Sequence, residues 1–177
     1  MSQRDDELEA YLLSVGVPAR TLENAQQPQA TAALEAIYRP VDMLCLSGPP
    51  GVGKSIAAAI WLAMHGSRDG YRMWIQAAEL ARGYAYDPEQ YWKAARAYAL
   101  VIDDLGLEYL DNSDRYLATF EELVSKRFAC KRKTCLTTNL GPAEFKARYG
   151  ERIASRLNED GAFIVCGGPD MRRMVHE

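Results

Sequence analysis

Apolar residues fall into two kinds of run along the chain: short continuous stretches, and longer ones spaced at helical intervals. The short runs, at residues 41–47, 71–76, 98–102, 134–137 and 162–166, read as strands buried on both faces. Between the first two, residues 55–65 are almost wholly apolar and predict a helix enclosed nearly all round. The clearest periodic pattern lies at residues 113–128. There Tyr116, Leu117, Phe120, Leu123, Val124 and Phe128 form one stripe, with Asn112 or Ser113 able to cap it. Further helical patterns cover residues 77–97, broken near Gly83 and Pro88, and residues 142–157, hinged at Gly150. Strands alternating with helices predict an α/β fold: a five-stranded parallel sheet with helices on both faces.

Ahead of the first strand the pattern weakens. Residues 5–14 form a short amphipathic helix carrying Leu8, Tyr11 and Leu12, residues 16–29 read as a connector containing Pro18 and Pro28, and residues 31–38 form a second helix ended by Pro40. Residues 1–40 are therefore expected to be a helical extension and 41–177 the main domain. A ten-residue helix is marginal in water on its own, so the first is expected to dock on its own core or on a partner.

Composition narrows the function classes. The chain has 177 residues, 48% of them hydrophobic, with a net charge of -3, so it is a globular domain and not a basic particle that coats nucleic acid. No apolar run reaches the roughly 18–20 residues of a membrane span, and the polar, acidic N-terminus is unlike a signal peptide. A cytoplasmic protein is expected. Cys45, Cys130, Cys135 and Cys166 are irregularly spaced with no C-x-x-C pair, which points to reduced thiols and not to a zinc site.

The chemistry starts where the first strand ends. Gly48-Pro49-Pro50-Gly51-Val52-Gly53-Lys54-Ser55 matches the P-loop pattern in full, between an apolar strand and an apolar helix. Its backbone N–H groups would cradle the phosphates of a nucleotide, Lys54 would reach the β- and γ-phosphates, and Ser55 would ligate Mg²⁺. Leu100-Val101-Ile102-Asp103-Asp104 ends a strand in two carboxylates, the first placed for Mg²⁺ and the second for the attacking water. Asn139, after the next strand, falls at the same carboxyl edge and can contact the γ-phosphate or that water. Arg152 and Arg156 sit four apart on one helix. They read either as neutralisers of phosphate charge or as a solvated face with Glu151 as partner.

Together these segments resemble the AAA+ ATPases, and within them the DnaC-type helicase loaders and the IstB-type transposition helpers. The more specific matches are Asp103-Asp104-Leu105-Gly106, Thr137-Thr138-Asn139-Leu140 and Gly150-Glu151-Arg152-Ile153-Ala154-Ser155-Arg156-Leu157. The resemblance implies a P-loop NTPase fold without a C-terminal helical lid. It makes Asp103 the Walker B magnesium residue, Asp104 the catalytic carboxylate and Asn139 the first sensor. Arg156 becomes an arginine finger acting in trans within a ring or spiral, Arg152 a basic neighbour of the same motif, and Arg172 a second-sensor-like arginine. ATP and Mg²⁺ are the implied ligands. A replicative helicase is the implied partner, or a transposase on the alternative reading. Single-stranded DNA could contact Lys126, Arg127, Lys131, Arg132 and Lys133 together with Tyr84, Tyr86, Tyr91, Trp92 and Tyr98, residues that read equally as a solvated helix end and core aromatics.

Overall fold

The computed structural model describes residues 3–26, 29–66, 70–108 and 115–171. Five strands form one sheet: β1 (Met43–Ser47), β2 (Arg72–Gln76), β3 (Ala99–Leu105), β4 (Lys133–Thr138) and β5 (Ala162–Val165), in the order β2-β3-β4-β1-β5, every pair parallel. The connecting helices return each strand to the same edge, so all five carboxyl ends gather on one side of the molecule.

Side chains alternate along each strand and divide the core in two. Leu44, Leu46, Trp74, Val101 and Cys135 face one helical layer: α1 (Gln3–Ser14), α2 (Ala19–Ala25), α3 (Ala32–Ala36) and α4 (Lys54–Met64). Cys45, Ile75, Leu100, Ile102 and Leu136 face the other, built from α5 (Ala77–Tyr86), α6 (Pro88–Arg96), α7 (Arg115–Ala129), α8 (Pro142–Tyr149) and α9 (Glu151–Glu159). Among the described residues β5 is the last element, and no helix is long and apolar enough to cross a membrane.

Three local expectations change. Part of the expected connector is helix α2, which begins after Pro18 and buries Leu22 against the sheet layer. One apolar anchor in seven residues left too little periodicity to reveal it. Helix α5 runs through Gly83 unbroken. The break falls at Asp87, whose carboxylate accepts from the Glu89 N–H (3.0 Å) and caps α6 with Pro88 at its first position. Strand β3 continues past Ile102 through both aspartates to Leu105. The proposed caps of α7, Asn112 and Ser113, lie outside the described residues.

The N-terminal helix docks on its own chain. Leu12 and Val17 join the core beneath Trp74, whose N–H donates to the Val15 carbonyl (2.8 Å), and the Tyr11 hydroxyl accepts from the Arg72 N–H (3.1 Å). Cys45, Cys135 and Cys166 are buried, and burial pushes their thiols up, while Cys130 is exposed.

Two members of the expected DNA-facing set prove to be core. Arg127 is fully buried and donates to Thr134 Oγ1 and to the carbonyls of Ala94, Ala97 and Lys133, tying α6 to β4. Tyr91 is buried under α7. Trp92 and Tyr98 stay exposed, with the Lys126 ammonium 4.9 Å and the Arg96 guanidinium 5.7 Å from the Trp92 ring.

Candidate active site

The P-loop turns out of β1 at Ser47 and enters α4 at Lys54. Gly51 (φ 86°) and Gly53 (φ 87°) hold left-handed conformations that other residues rarely adopt, and Gly53 caps α4. This turns the loop N–H groups and the positive end of α4 toward the carboxyl edge of the sheet. The Lys54 ammonium donates to the carbonyls of Gly48 (2.7 Å) and Pro49 (2.9 Å) and to Asn139 Oδ1 (2.9 Å). P-loop and Asn139 are thus brought together through one cation.

Asp103 lies beside them, 3% exposed. Its Oδ1 accepts from Ser55 Oγ (2.9 Å) and Thr137 Oγ1 (2.5 Å), and its Oδ2 from Gln76 Nε2 (3.0 Å). Ser55 and Asp103 offer hard oxygen donors side by side, the kind Mg²⁺ takes together with substrate phosphates. Among the described residues no separate cluster of three or more His, Cys, Asp or Glu side chains competes for a metal.

Asp104 follows in an unusual conformation. The β3–β4 register slips by one residue between Ile102 and Leu105, and within this bulge Asp104 has φ 59°. Its N–H donates to Thr137 Oγ1 (2.9 Å), the same hydroxyl that donates to Asp103. A regular strand would have sent the two adjacent carboxylates to opposite faces. The bulge instead gives Asp104 a left-handed backbone near the carboxyl end of β3.

The neighbouring loops are fastened to each other. Ser47 Oγ donates to the Leu140 carbonyl (2.7 Å) and Thr138 Oγ1 to the Leu105 carbonyl (2.8 Å), while a Cβ on Gly106 would stand 3.0 Å from Leu140 Cγ. Gln76 and Thr137 were not anticipated as site residues. Their signal, a polar residue closing an otherwise apolar strand, becomes meaningful only once the strands are in register. The chain after β5 also reaches the site: the Met171 N–H donates to the Gly51 carbonyl (3.1 Å) and Asp170 lies against Gly51. Arg172 lies outside the described residues.

Arg152 and Arg156 do not join this group. Arg152 Nη1 pairs with Glu121 (2.7 Å), and Arg156 Nη1 donates to Ser125 Oγ with its guanidinium 5.5 Å from the Phe128 ring. Both therefore lie along α7. Glu151, the expected partner, pairs with Lys146 instead (2.5 Å). Ser125 and Phe128 belong to the last turns of α7, so these contacts hold Arg156 against that helix.

Solved structures of similar fold include the crystal structure of the DnaC helicase loader (TM-score 0.68, 23% identity, covering 85% of this chain and 100% of that one). DnaI is also similar (0.65, 20%, 91% and 99%), as is AMPPCP-bound DnaA from Aquifex aeolicus (0.67, 13%, 90% and 54%). These likenesses establish the fold, an α/β P-loop fold shared with those chains. No curated protein matches the sequence. Residues 19–158, which span the P-loop, both aspartates, Asn139 and Arg156, match the family of IstB-like ATP binding proteins, and the chain belongs to that family.

Proposed function

We propose that the protein is a Mg²⁺-dependent AAA+ ATPase that loads a replicative helicase onto single-stranded DNA. Residues 41–177 form its ATPase domain and residues 1–40 a helical extension packed on it. The observation that carries this reading is the pairing of Lys54 with Asn139 and of Ser55 with Asp103 at one edge of the sheet, with the Asp104 N–H joined to Asp103 through the Thr137 hydroxyl. The fold shared with DnaC and DnaI supports the loader role. A second reading, an ATP-dependent helper of a transposase, is favoured by the family match itself. Affinity capture from a host lysate separates them: recovery of a helicase supports the first, and recovery of a transposase without helicase overturns it.

In this mechanism the P-loop N–H groups bind the phosphates, and Lys54 exchanges its bonds to Gly48 and Pro49 for the β- and γ-phosphate oxygens. Ser55 and Asp103 would hold Mg²⁺, which when bound neutralises charge on those phosphates. Asp104 orients the attacking water and accepts its proton, and Asn139 fixes the γ-phosphate. The second-sensor role of Arg172 remains part of the proposal. Lys54→Ala should therefore lose nucleotide binding itself, read with a fluorescent ATP analogue. Asp104→Asn should keep binding while turnover falls at least tenfold. Asparagine tolerates left-handed backbone about as well as aspartate, so this change tests the carboxylate and not the bulge. Parental turnover by Asp104→Asn would remove the residue from the mechanism.

Arg156 is held on α7 by Ser125 and Phe128, which supports its use by a neighbouring subunit in a ring or spiral. Specific activity should then rise with protein concentration, and Arg156→Ala should flatten the rise at unchanged ATP affinity. Mixing Arg156→Ala with Lys54→Ala protein should recover part of the turnover, with Arg152→Ala as the milder control. Concentration-independent activity and a dead mixture would leave Arg156 as a structural link between α7 and α9.

For single-stranded DNA, the surface around Trp92, Arg96, Tyr98 and Lys126 offers exposed rings beside cations. Lys126 also pairs with Glu122 (2.6 Å), so stacking must carry more of the affinity than charge. Trp92→Ala should weaken binding of a labelled single strand several-fold, and added salt should weaken it further. Unchanged affinity in both experiments would discard this surface.

A further inference from the structure

Four residues beyond Asp104 lies a carboxylate that the mechanism above does not use. The side chain of Glu108 is 0% exposed. A buried charge is costly unless its oxygens are matched by donors, and here they are matched closely. Oε2 accepts from the Gly106 N–H (2.8 Å). Oε1 accepts from Arg148 Nε (3.2 Å) and from the Tyr149 hydroxyl, and the Glu108 carbonyl accepts from Arg148 Nη2 (2.8 Å). Burial, followed by the Glu108 charge, pushes the Tyr149 phenol up, so that hydroxyl remains a donor.

These bonds fall on both sides of the hydrolysis site. Gly106, held by Glu108 and packed against Leu140, is separated from Asp104 by Leu105 alone. Arg148 and Tyr149 end α8, the helix that follows Asn139 and Leu140. Asp104 itself sits at φ 59°, fixed from the strand side by Thr137. A residue in so sparsely populated a conformation keeps it only when held from both directions. On the far side the Leu107 N–H donates to the Asp104 carbonyl (3.4 Å), Thr138 Oγ1 donates to the Leu105 carbonyl, and Glu108 holds the Gly106 amide.

We propose that Glu108 is a positioning residue for ATP hydrolysis: by clamping the Gly106 amide to Arg148 and Tyr149 at the end of α8, it sets the placement of the Asp104 carboxylate. This rests on the ATPase reading. In this role Glu108 acts through Asp104 and not on the nucleotide itself.

The test is steady-state kinetics on the full chain, with nucleotide affinity and thermal midpoint measured alongside. Glu108→Gln keeps the side-chain shape but loses one acceptor. It should lower kcat about tenfold, leave KM and ATP-analogue affinity within twofold, and have no further effect on turnover in an Asp104→Asn background. Such non-additivity is the mark of two residues acting as one unit. If Glu108→Gln does not fold, Tyr149→Phe removes a single donor and should lower kcat several-fold, with the same cancellation. A parental kcat in a folded variant, or a full multiplicative loss on top of Asp104→Asn, overturns the positioning role alone. A parental protein that binds ATP but never turns it over overturns the ATPase reading and this proposal with it.

Discussion

The Asp103 carboxylate is the point through which the rest of the site is organised. It is almost wholly buried, and a charge in that position is tolerated only if donors replace the water it has lost. Three donors do so, each from a different segment: Ser55 at the start of α4, Gln76 at the end of β2 and Thr137 in β4. The strand order makes this arrangement attainable. Strand β3 lies between β2 and β4, with Gln76 directly paired to Asp103, while β1 delivers the P-loop one strand further along. A metal and a phosphate approaching this edge would meet oxygens already held in place, which lowers the reorganisation needed at reaction.

Thr137 shows how narrow the chemical choice is. Its hydroxyl donates to Asp103 and accepts from the Asp104 N–H, so the residue must both donate and accept a hydrogen bond within a strand. Among β-branched residues, which suit strands, only threonine carries such a group. That single oxygen links the bulge at Asp104 to the buried carboxylate before it. The two aspartates are therefore coupled structurally through one hydroxyl.

How much of this was legible follows from how local each signal is. The P-loop is contiguous, and the five strands are apolar on both faces, so both could be read directly from the sequence. The bulge could not, because two aspartates in a row look like a strand ending and not like one continuing. Gln76, Thr137 and Glu108 acquire their roles from register and long-range contact, to which a linear pattern is blind. Arg127 is the instructive error. It follows Phe120, Leu123 and Val124 at helical spacing and so lies on the buried stripe of α7, yet its charge suggested the surface. The periodicity outweighed the residue type, because carbonyls at the end of α6 and the start of β4 supplied acceptors for a buried guanidinium.

The same contrast between residue type and partner bears on the two arginines of α9. Arg152 has a carboxylate partner, whereas Arg156 rests on a neutral hydroxyl and an aromatic ring. Leaving a hydroxyl and a ring forfeits about 1–3 kcal/mol in all. A guanidinium reaching phosphate gains two parallel hydrogen bonds to a charged acceptor, which one neutral hydroxyl does not match. Arg156 is thus held well enough to be ordered in the single chain and weakly enough to be drawn to a stronger anion. Its backbone follows Gly150, where φ is 89°, and the helix before that glycine ends in Arg148 and Tyr149. On the reading in which Arg156 serves a neighbouring subunit, Gly150 is therefore the one residue between the helix that carries it and the helix end that grips Glu108. The arm that would act in trans and the loop that would act in cis share one mechanical joint.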